Sequence, residues 1–333
     1  MDDSLVDLRA VGEFRKARRR AMWWERYQEL RRKPAHLLPF DAVTGALRLY
    51  SRRAVGLQQV PVDLIIGSVD RSDDFTRNYL PRRNYLEARW ARVFSHVMEQ
   101  GFQPIRLNRV GDVYFVEDGN HRLSVLRAMD VATVEAQVTE FPCRVPLSRE
   151  LTLSDLPRKA AYLDFLEQTD LDQTRPGVQI ELSEPTAYRT LEEHIAGHAY
   201  WLEFRDGRPV SVCRAAASWH DLVYVPAVKL IRGARLDRDF PNATEADLYV
   251  ELMEYHRKLA RELERPVRLE DAIEHYRMTS TRPLRRRLWY WATRRRARFD
   301  PISGPAQPAG RGRRHSWDWL PTRRADSDQS GDG

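Results

Sequence analysis

Five consecutive residues, Asp118-Gly119-Asn120-His121-Arg122, bring together side chains suited to holding a phosphate. The residues before them, 113–117, read as a short strand, and Leu123, Leu126 and Met129 behind them follow as a helix. A helix that starts directly after a tight turn presents amides with no intrahelical acceptor, and its dipole adds partial positive charge there. Gly119 lets the backbone approach a ligand closely and take angles that other residues resist. Arg122 can fork onto phosphate oxygens, Asn120 adds a polar contact, and His121 adds a donor or a proton carrier. Asp118 suits a magnesium ion or the orientation of a nucleophile. Asp-Gly-Asn is also an ordinary turn signal, so the tripeptide alone marks only a reversal of the chain. His121 is equally suited to capping or packing.

Other polar groups invite weaker readings. The loop Gly67-Ser68-Val69-Asp70-Arg71-Ser72-Asp73-Asp74-Phe75 offers Asp70 as a base and Arg71 as a second phosphate donor, or is simply a solvated loop. His194 and His198 stand at i and i+4, a spacing that can bind metal, but no Glu follows His194 and no further ligand is placed, so they read as part of a surface helix. His220 beside Trp219 reads as a core or rim residue. Thr244, followed by Glu245 and Asp247, reads as a helix N-cap with acids in the first turn.

The elements that position these residues follow from periodicity. Residues 5–32 form a helix through Leu8, Val11, Phe14, Ala21, Trp24 and Tyr27, and a short helix covers 41–50. Val60, Val62, Leu64 and Ile66 alternate as a strand with Pro61 near its start. Leu86, Trp90, Val93, Phe94, Val97 and Met98 make one stripe on a helix over 85–100, which Gly101 terminates in a left-handed cap. Strands follow at 104–108 and 113–117, then the helix behind Arg122 and a closing strand at 133–141. Beyond a connector at 142–150, helices are expected over 155–170, 214–233, 243–264 and 269–277. A hairpin is expected at 200–212 around Asp206-Gly207.

At 333 residues, 42% of them hydrophobic, the chain is long enough for two cores. The expected segments are a helical lead over 1–56, an α+β domain with a small mixed sheet over 57–142, a second α+β, mostly helical domain over 150–299, and a disordered tail over 300–333. No apolar run is long enough to cross a bilayer, and the acidic start lacks the apolar core of an export signal, so a cytoplasmic protein is expected. Cys143 and Cys213 lack CxxC partners, which argues against a disulfide framework or a zinc site. Net charge is +7, and 282–298 holds eight Arg and no acid, while FRKARRR occupies 14–20. Such clusters attract nucleic acid, lipid headgroups or acidic partners. For Arg282–Arg298 three readings stand side by side: a DNA contact, an anionic membrane surface, or a terminal helix packing its aromatic face. Oligomeric state is left open.

The stretch GFQPIRLNRVGDVYFVEDGNHRLSVLRAMDVATVEAQV resembles the ParB/sulfiredoxin superfamily in its G-x-x-P-I segment, following strand, and acid-Gly-x-x-Arg turn. In ParB partition proteins the turn reads G-E-R-R and cradles a CTP triphosphate. In sulfiredoxin it reads G-C-H-R, with Cys as nucleophile and the Arg side binding ATP. Free-serine kinases of the superfamily carry Asp-Gly-His-x-Arg, the nearest form to this one. Asn120 stands where the sulfiredoxin nucleophile would be, so sulfinic acid reduction is not implied. Nor does the region after 142 read as the helix-turn-helix of ParB. GSVDRSDDF and FPNATEADLY resemble bacterial ParB-like proteins, mainly of actinobacterial type. The resemblance implies the fold and a ligand class, a nucleotide (ATP, ADP or CTP) with Mg2+, and NTP hydrolysis or phosphoryl transfer as the activity. On this reading Gly119, Asn120, His121, Arg122 and Arg71 hold phosphates, Asp118 serves the metal, and Asp118, His121 and Asp70 are the catalytic candidates. The alternative is a non-enzymatic DNA-associated regulatory or partition-like protein that uses its basic clusters.

The tail over 301–333 has four Pro and five Gly, with only scattered Trp317, Trp319 and Leu320, too little apolar surface to offset ordering. Its deletion is expected to leave the melting temperature and ligand affinity unchanged. Truncation back through Arg282 is expected to weaken sedimentation with DNA or anionic vesicles, or to cause aggregation.

Overall fold

The computed structural model describes residues 3–280, so Arg282–Arg298 and the tail lie outside the described residues. The chain divides into two units, Met1–Asp172 and Gln173–Gly333.

In the first unit, α1 (Asp3–Arg31) leads into β1 (Leu38–Pro39) and α2 (Phe40–Ala46). Then come β2 (Arg53–Pro61), a 3-10 turn at Val62–Leu64 and β3 (Ile65–Ser68). After a long loop follow α3 (Glu87–Gln100), β4 (Ile105–Val110), β5 (Val113–Asp118), α4 (Asn120–Ala128), β6 (Thr133–Phe141) and α5 (Leu156–Thr169). The strands form one mixed sheet in the order β1-β3-β5-β4-β6-β2. β3 runs parallel to both β1 and β5, β4 is antiparallel to β5 and parallel to β6, and β2 is antiparallel to β6. The α+β class expected from the sequence is therefore what the chain adopts.

Both faces of the sheet are covered, which is why Val113, Tyr114, Phe115 and Val116 are all buried in spite of the alternation of a strand. On one face the amphipathic stripe of α3 meets α1 and α4. Trp90 is fully buried, edge-on to Phe14 at 5.7 Å and stacked on Phe94 at 5.6 Å. Its indole N–H donates to Ser124 Oγ at 3.0 Å, satisfying the one polar atom of an otherwise apolar contact. On the other face Phe40 of α2 lies 5.4 Å from Phe115 and 5.0 Å from Phe141. Arg48, just past α2, binds Asp164 and Glu167 of α5 at 2.7 and 2.9 Å.

The strand expected through Val60–Ile66 is in fact two. Pro61 has no N–H to give the ladder, so β2 ends there, and the chain winds one 3-10 turn before β3 begins. β2 also starts earlier, at Arg53, because pairing with β6 carries polar residues that local propensity does not favour. Gly101 ends α3 with φ +79 and ψ −169, a positive φ but not the left-handed helical cap expected.

After α6 (Leu171–Thr174), the second unit holds α7 (Tyr188–Asp206), α8 (Val212–Trp219), α9 (Val225–Gly233), α10 (Leu236–Asp239), α11 (Glu245–Glu262) and α12 (Leu269–Ser280). The expected hairpin at 200–212 is overturned: Tyr200–Asp206 is the end of α7, and Gly207, φ +66, returns its amide to the Glu203 carbonyl at 2.9 Å. A left-handed Gly serves a helix cap as well as a hairpin, and short alternation cannot separate the two. No strand occurs among the described residues of this unit, so it is helical rather than α+β. A π-turn at His220–Tyr224 joins α8 to α9, where Pro226 supplies no amide to the preceding turn. Thr244 caps α11 in a capping box with Asp247.

Gly67 in β3 is wedged between neighbours. A Cβ there would lie 2.3 Å from the Leu38 carbonyl oxygen and 2.4 Å from the Phe115 ring. Gly67→Ala is expected to cost about 2 kcal/mol by overpacking, read as a lower denaturant midpoint with an unchanged slope.

Candidate functional site

β5 ends at Asp118 against Arg106 of β4, and the chain must then reverse into α4. It does so at Gly119, with φ +107 and ψ 20. A Cβ on Gly119 would lie 2.5 Å from Ile105 Cγ2 and 3.3 Å from Arg122 Nε, so the turn needs both the backbone freedom and the bareness of glycine. No side chain caps α4, leaving its first amides directed outward.

The five residues of the turn behave differently. Asn120 Oδ1 accepts from Ser68 Oγ at 3.0 Å, which ties the turn to the loop leaving β3. Arg122 faces back along the chain, where Nη1 donates to the Pro104 carbonyl at 2.9 Å and Nη2 to Asp118 Oδ2 at 2.7 Å. The Asp118 side chain is 53% exposed, so this ion pair is a weak one that a competing anion can replace. His121 is turned inward, only 6% exposed and edge-on to Phe75 at 5.4 Å. Neither Nδ1 nor Nε2 has a hydrogen-bond partner among the described residues. Burial, with Arg89 and Arg71 nearby, pushes its pKa down to about 4, so the ring is neutral at pH 7.

The loop after β3 folds over this histidine. Arg71 reaches it, its guanidinium held by Asp74 at 3.0 Å and its amide donating to Ser68 Oγ at 3.4 Å. Tyr85 donates to the other oxygen of Asp74. Asp70 is exposed and makes no hydrogen bond or ion pair among the described residues, so the structure brings Arg71 to the turn but not Asp70. Arg89 is exposed on α3 and makes no ion pair among the described residues, leaving a free cation beside the turn. Ser68, Asp74 and Arg89 carry no motif; Ser68, which ends β3, and Asp74 read only as members of a polar loop, and Arg89 only as one polar position next to Trp90.

No family model and no curated protein matches the chain. The site therefore rests on its geometry and on the resemblance carried by the turn.

Among the described residues no group of three or more His, Cys, Asp or Glu could hold a metal. Magnesium needs only one or two protein carboxylates when phosphates and water supply the rest. Asp118 thus fits an ion that arrives with a nucleotide, and does not by itself make a protein-built metal centre. His194 and His198 form no such centre either. His194 Nδ1 meets Tyr249 Oη at 3.2 Å, Tyr249 accepts from the Trp219 indole at 3.1 Å, and His198 Nε2 meets Ser218 Oγ at 2.9 Å. The surface helix expected for them is overturned: both are buried core histidines with partners.

The neutral, unpartnered state of His121 has a pH signature. Its folded pKa lies below the unfolded value of 6.5, so the unfolded chain takes up the proton first as pH falls. The associated stability is complete above about pH 6.5 and is lost progressively towards pH 4. His121→Phe is expected to match or exceed the parent in stability at pH 7, because no hydrogen bond is lost, and to lose less between pH 6.5 and 4 in denaturant titrations.

Proposed function

We propose that the β5–α4 turn binds the phosphates of a nucleotide, ATP, ADP or CTP, with magnesium carried on the ligand. The observation that carries this reading is His121, a buried imidazole with two unmet nitrogens in the first turn of an uncapped helix. A buried polar group without a partner costs about 1–3 kcal/mol, a deficit that a bound ligand or its water can remove. The free amides of α4, the bareness of Gly119 and the cations Arg71 and Arg89 all favour an anion there.

On this reading the phosphates lie on the amides of Asn120, His121 and Arg122, and displace Asp118 from Arg122. The guanidinium then forks onto phosphate oxygens while staying anchored to the Pro104 carbonyl. The freed Asp118 carboxylate is the protein's ligand to the magnesium. Hydrolysis or phosphoryl transfer is the further step of this reading, with Asp118 as the group placed to orient a nucleophile. His121 is neutral at pH 7 and acts as a hydrogen-bonding group there, not as a standing cation.

Titration calorimetry with ATP, ADP and CTP, with and without magnesium, tests the reading. Arg89→Ala removes an exposed cation that supports no fold contact, and is expected to weaken binding roughly tenfold, the effect of losing about 1.4 kcal/mol. Asp118→Asn is expected to keep affinity for the nucleotide and to abolish turnover where the parent shows any. Absence of binding by the parent protein overturns the proposal, as does an Arg89→Ala protein with unchanged affinity.

A further inference from the structure

The end of the sheet opposite the turn holds a second group of unmet polar atoms. β3 runs from Ile65 to Ser68, and α4 from Asn120 to Ala128. Ser68 and Asn120 belong to the candidate site, while Ile65 and Arg127, at the other ends of the same elements, line a separate cavity of about 250 Å³. A second cavity, of about 440 Å³, adjoins it through the shared walls Trp24 and Asn78. Together they make a groove between α1 and the segment around Asn78–Leu80.

The two ends of this groove differ in chemistry. The outer cavity is lined by Lys16, Arg19, Arg20 and Trp23 with no acid. Arg20 is committed to Asp130 at 2.9 Å and to the Ala128 carbonyl. Lys16 is exposed and only loosely paired with Glu13 at 3.7 Å, Arg19 is exposed, and Trp23 is 76% exposed. In the inner cavity the acids are neutralised, Asp63 by Arg127 and Glu150 by Arg149, each at 2.9 Å, and Lys33 is unpaired among the described residues. Arg77 is 8% exposed there and makes no ion pair among the described residues. Its Nη2 donates to the carbonyls of Arg149 and Leu151 at 2.9 and 2.8 Å, but its Nε has no acceptor. On the facing helix, buried Gln28 Oε1 has no donor. Both atoms are enclosed by protein, so what the groove offers a ligand is its cationic, indole-lined mouth.

We propose that this groove binds a segment of single-stranded nucleic acid. Lys16, Arg19 and Lys33 meet successive phosphates, and Trp23 and Trp24 stack on bases. A cationic groove with aromatic walls is the usual platform for a single strand. A duplex is too wide for cavities of this size. The site is independent of the turn and of its ligand.

Fluorescence anisotropy of labelled single-stranded DNA and RNA dodecamers with the full chain, over a range of salt, tests the proposal. The parent is expected to bind with a steep salt dependence. Lys16→Ala/Arg19→Ala should weaken binding at least tenfold and lower the slope of log affinity against log salt by about 1.4, because each phosphate contact to a single strand contributes about 0.7. Trp23→Ala should weaken binding with the slope unchanged, since stacking releases no counterion. Arg89→Ala should leave it untouched. Oligonucleotide binding that survives Lys16→Ala/Arg19→Ala overturns the assignment and places the contact in another basic segment. Loss of sedimentation with vesicles of anionic phospholipid in the same variant, with oligonucleotide binding absent or unaltered, overturns it in favour of a lipid surface. All four substituted side chains are on the surface of α1 or α3, so circular dichroism is expected to show the parent fold in every case.

Discussion

At the end of β5 the backbone has to reverse directly over the first residue of β4, and Ile105 leaves no room for a side chain in the residue that does it. Everything at the candidate site depends on that close passage. Because Gly119 crosses so near Ile105, α4 starts immediately at the sheet edge and its free amides stand level with the strand ends. The same passage turns His121 inward beneath Phe75 and sends Arg122 back to the carbonyl of Pro104, so one crowded contact sorts an inward residue from an anchoring one. A larger residue would push α4 away and uncover the histidine.

The first unit was largely legible because its helices and strands carry their burial in their own spacing. The stripe from Leu86 to Met98 specified α3, and the strand-turn-helix around Asp118–Arg122 was visible from residue types alone. Two features were hidden. Arg53–Gln59 is too polar to read as a strand, since what holds it is the ladder to β6, and Asp206-Gly207 has the same local chemistry in a helix cap as in a hairpin. At the site, the sequence pointed to Gly119 and to Arg71, but assigned Arg122 a free fork that the fold uses for Asp118 and Pro104. Arg89 and Ser68 could not be foreseen, because nothing local tells which turn an exposed helix residue or the end of a buried strand will face.

Three histidines of this chain, His121, His194 and His198, have pKa values pushed down to about 4, each by burial before any charge. Burial by itself therefore does not mark function here. The two in the second unit are joined to Tyr249 and Ser218, and their nitrogens belong to a packed helical core. His121 differs in having no partner for either nitrogen among the described residues. Single enclosed atoms without a partner also occur on Gln28, Arg77, Ser95 and Arg109, and two on Arg18, so it is the whole unmet ring in the first turn of an uncapped helix that sets His121 apart.

β2 closes the sheet on one side, with only β6 as a neighbour among the described strands, and Val55 and Leu57 on it are exposed. An open, partly apolar edge is a template on which another molecule can add its own strand. Here the template is cut short at both ends. The register slips between Ala54 and Gly56, where Gly56 takes φ +101, and Pro61 offers no amide at the other end. Only Leu57–Val60 keeps a regular edge, flanked by Arg53 paired with Glu140. Copies of the protein crowded together thus find too little straight ribbon to zip along, and the irregularities that break the ladder protect the chain from stacking into fibres.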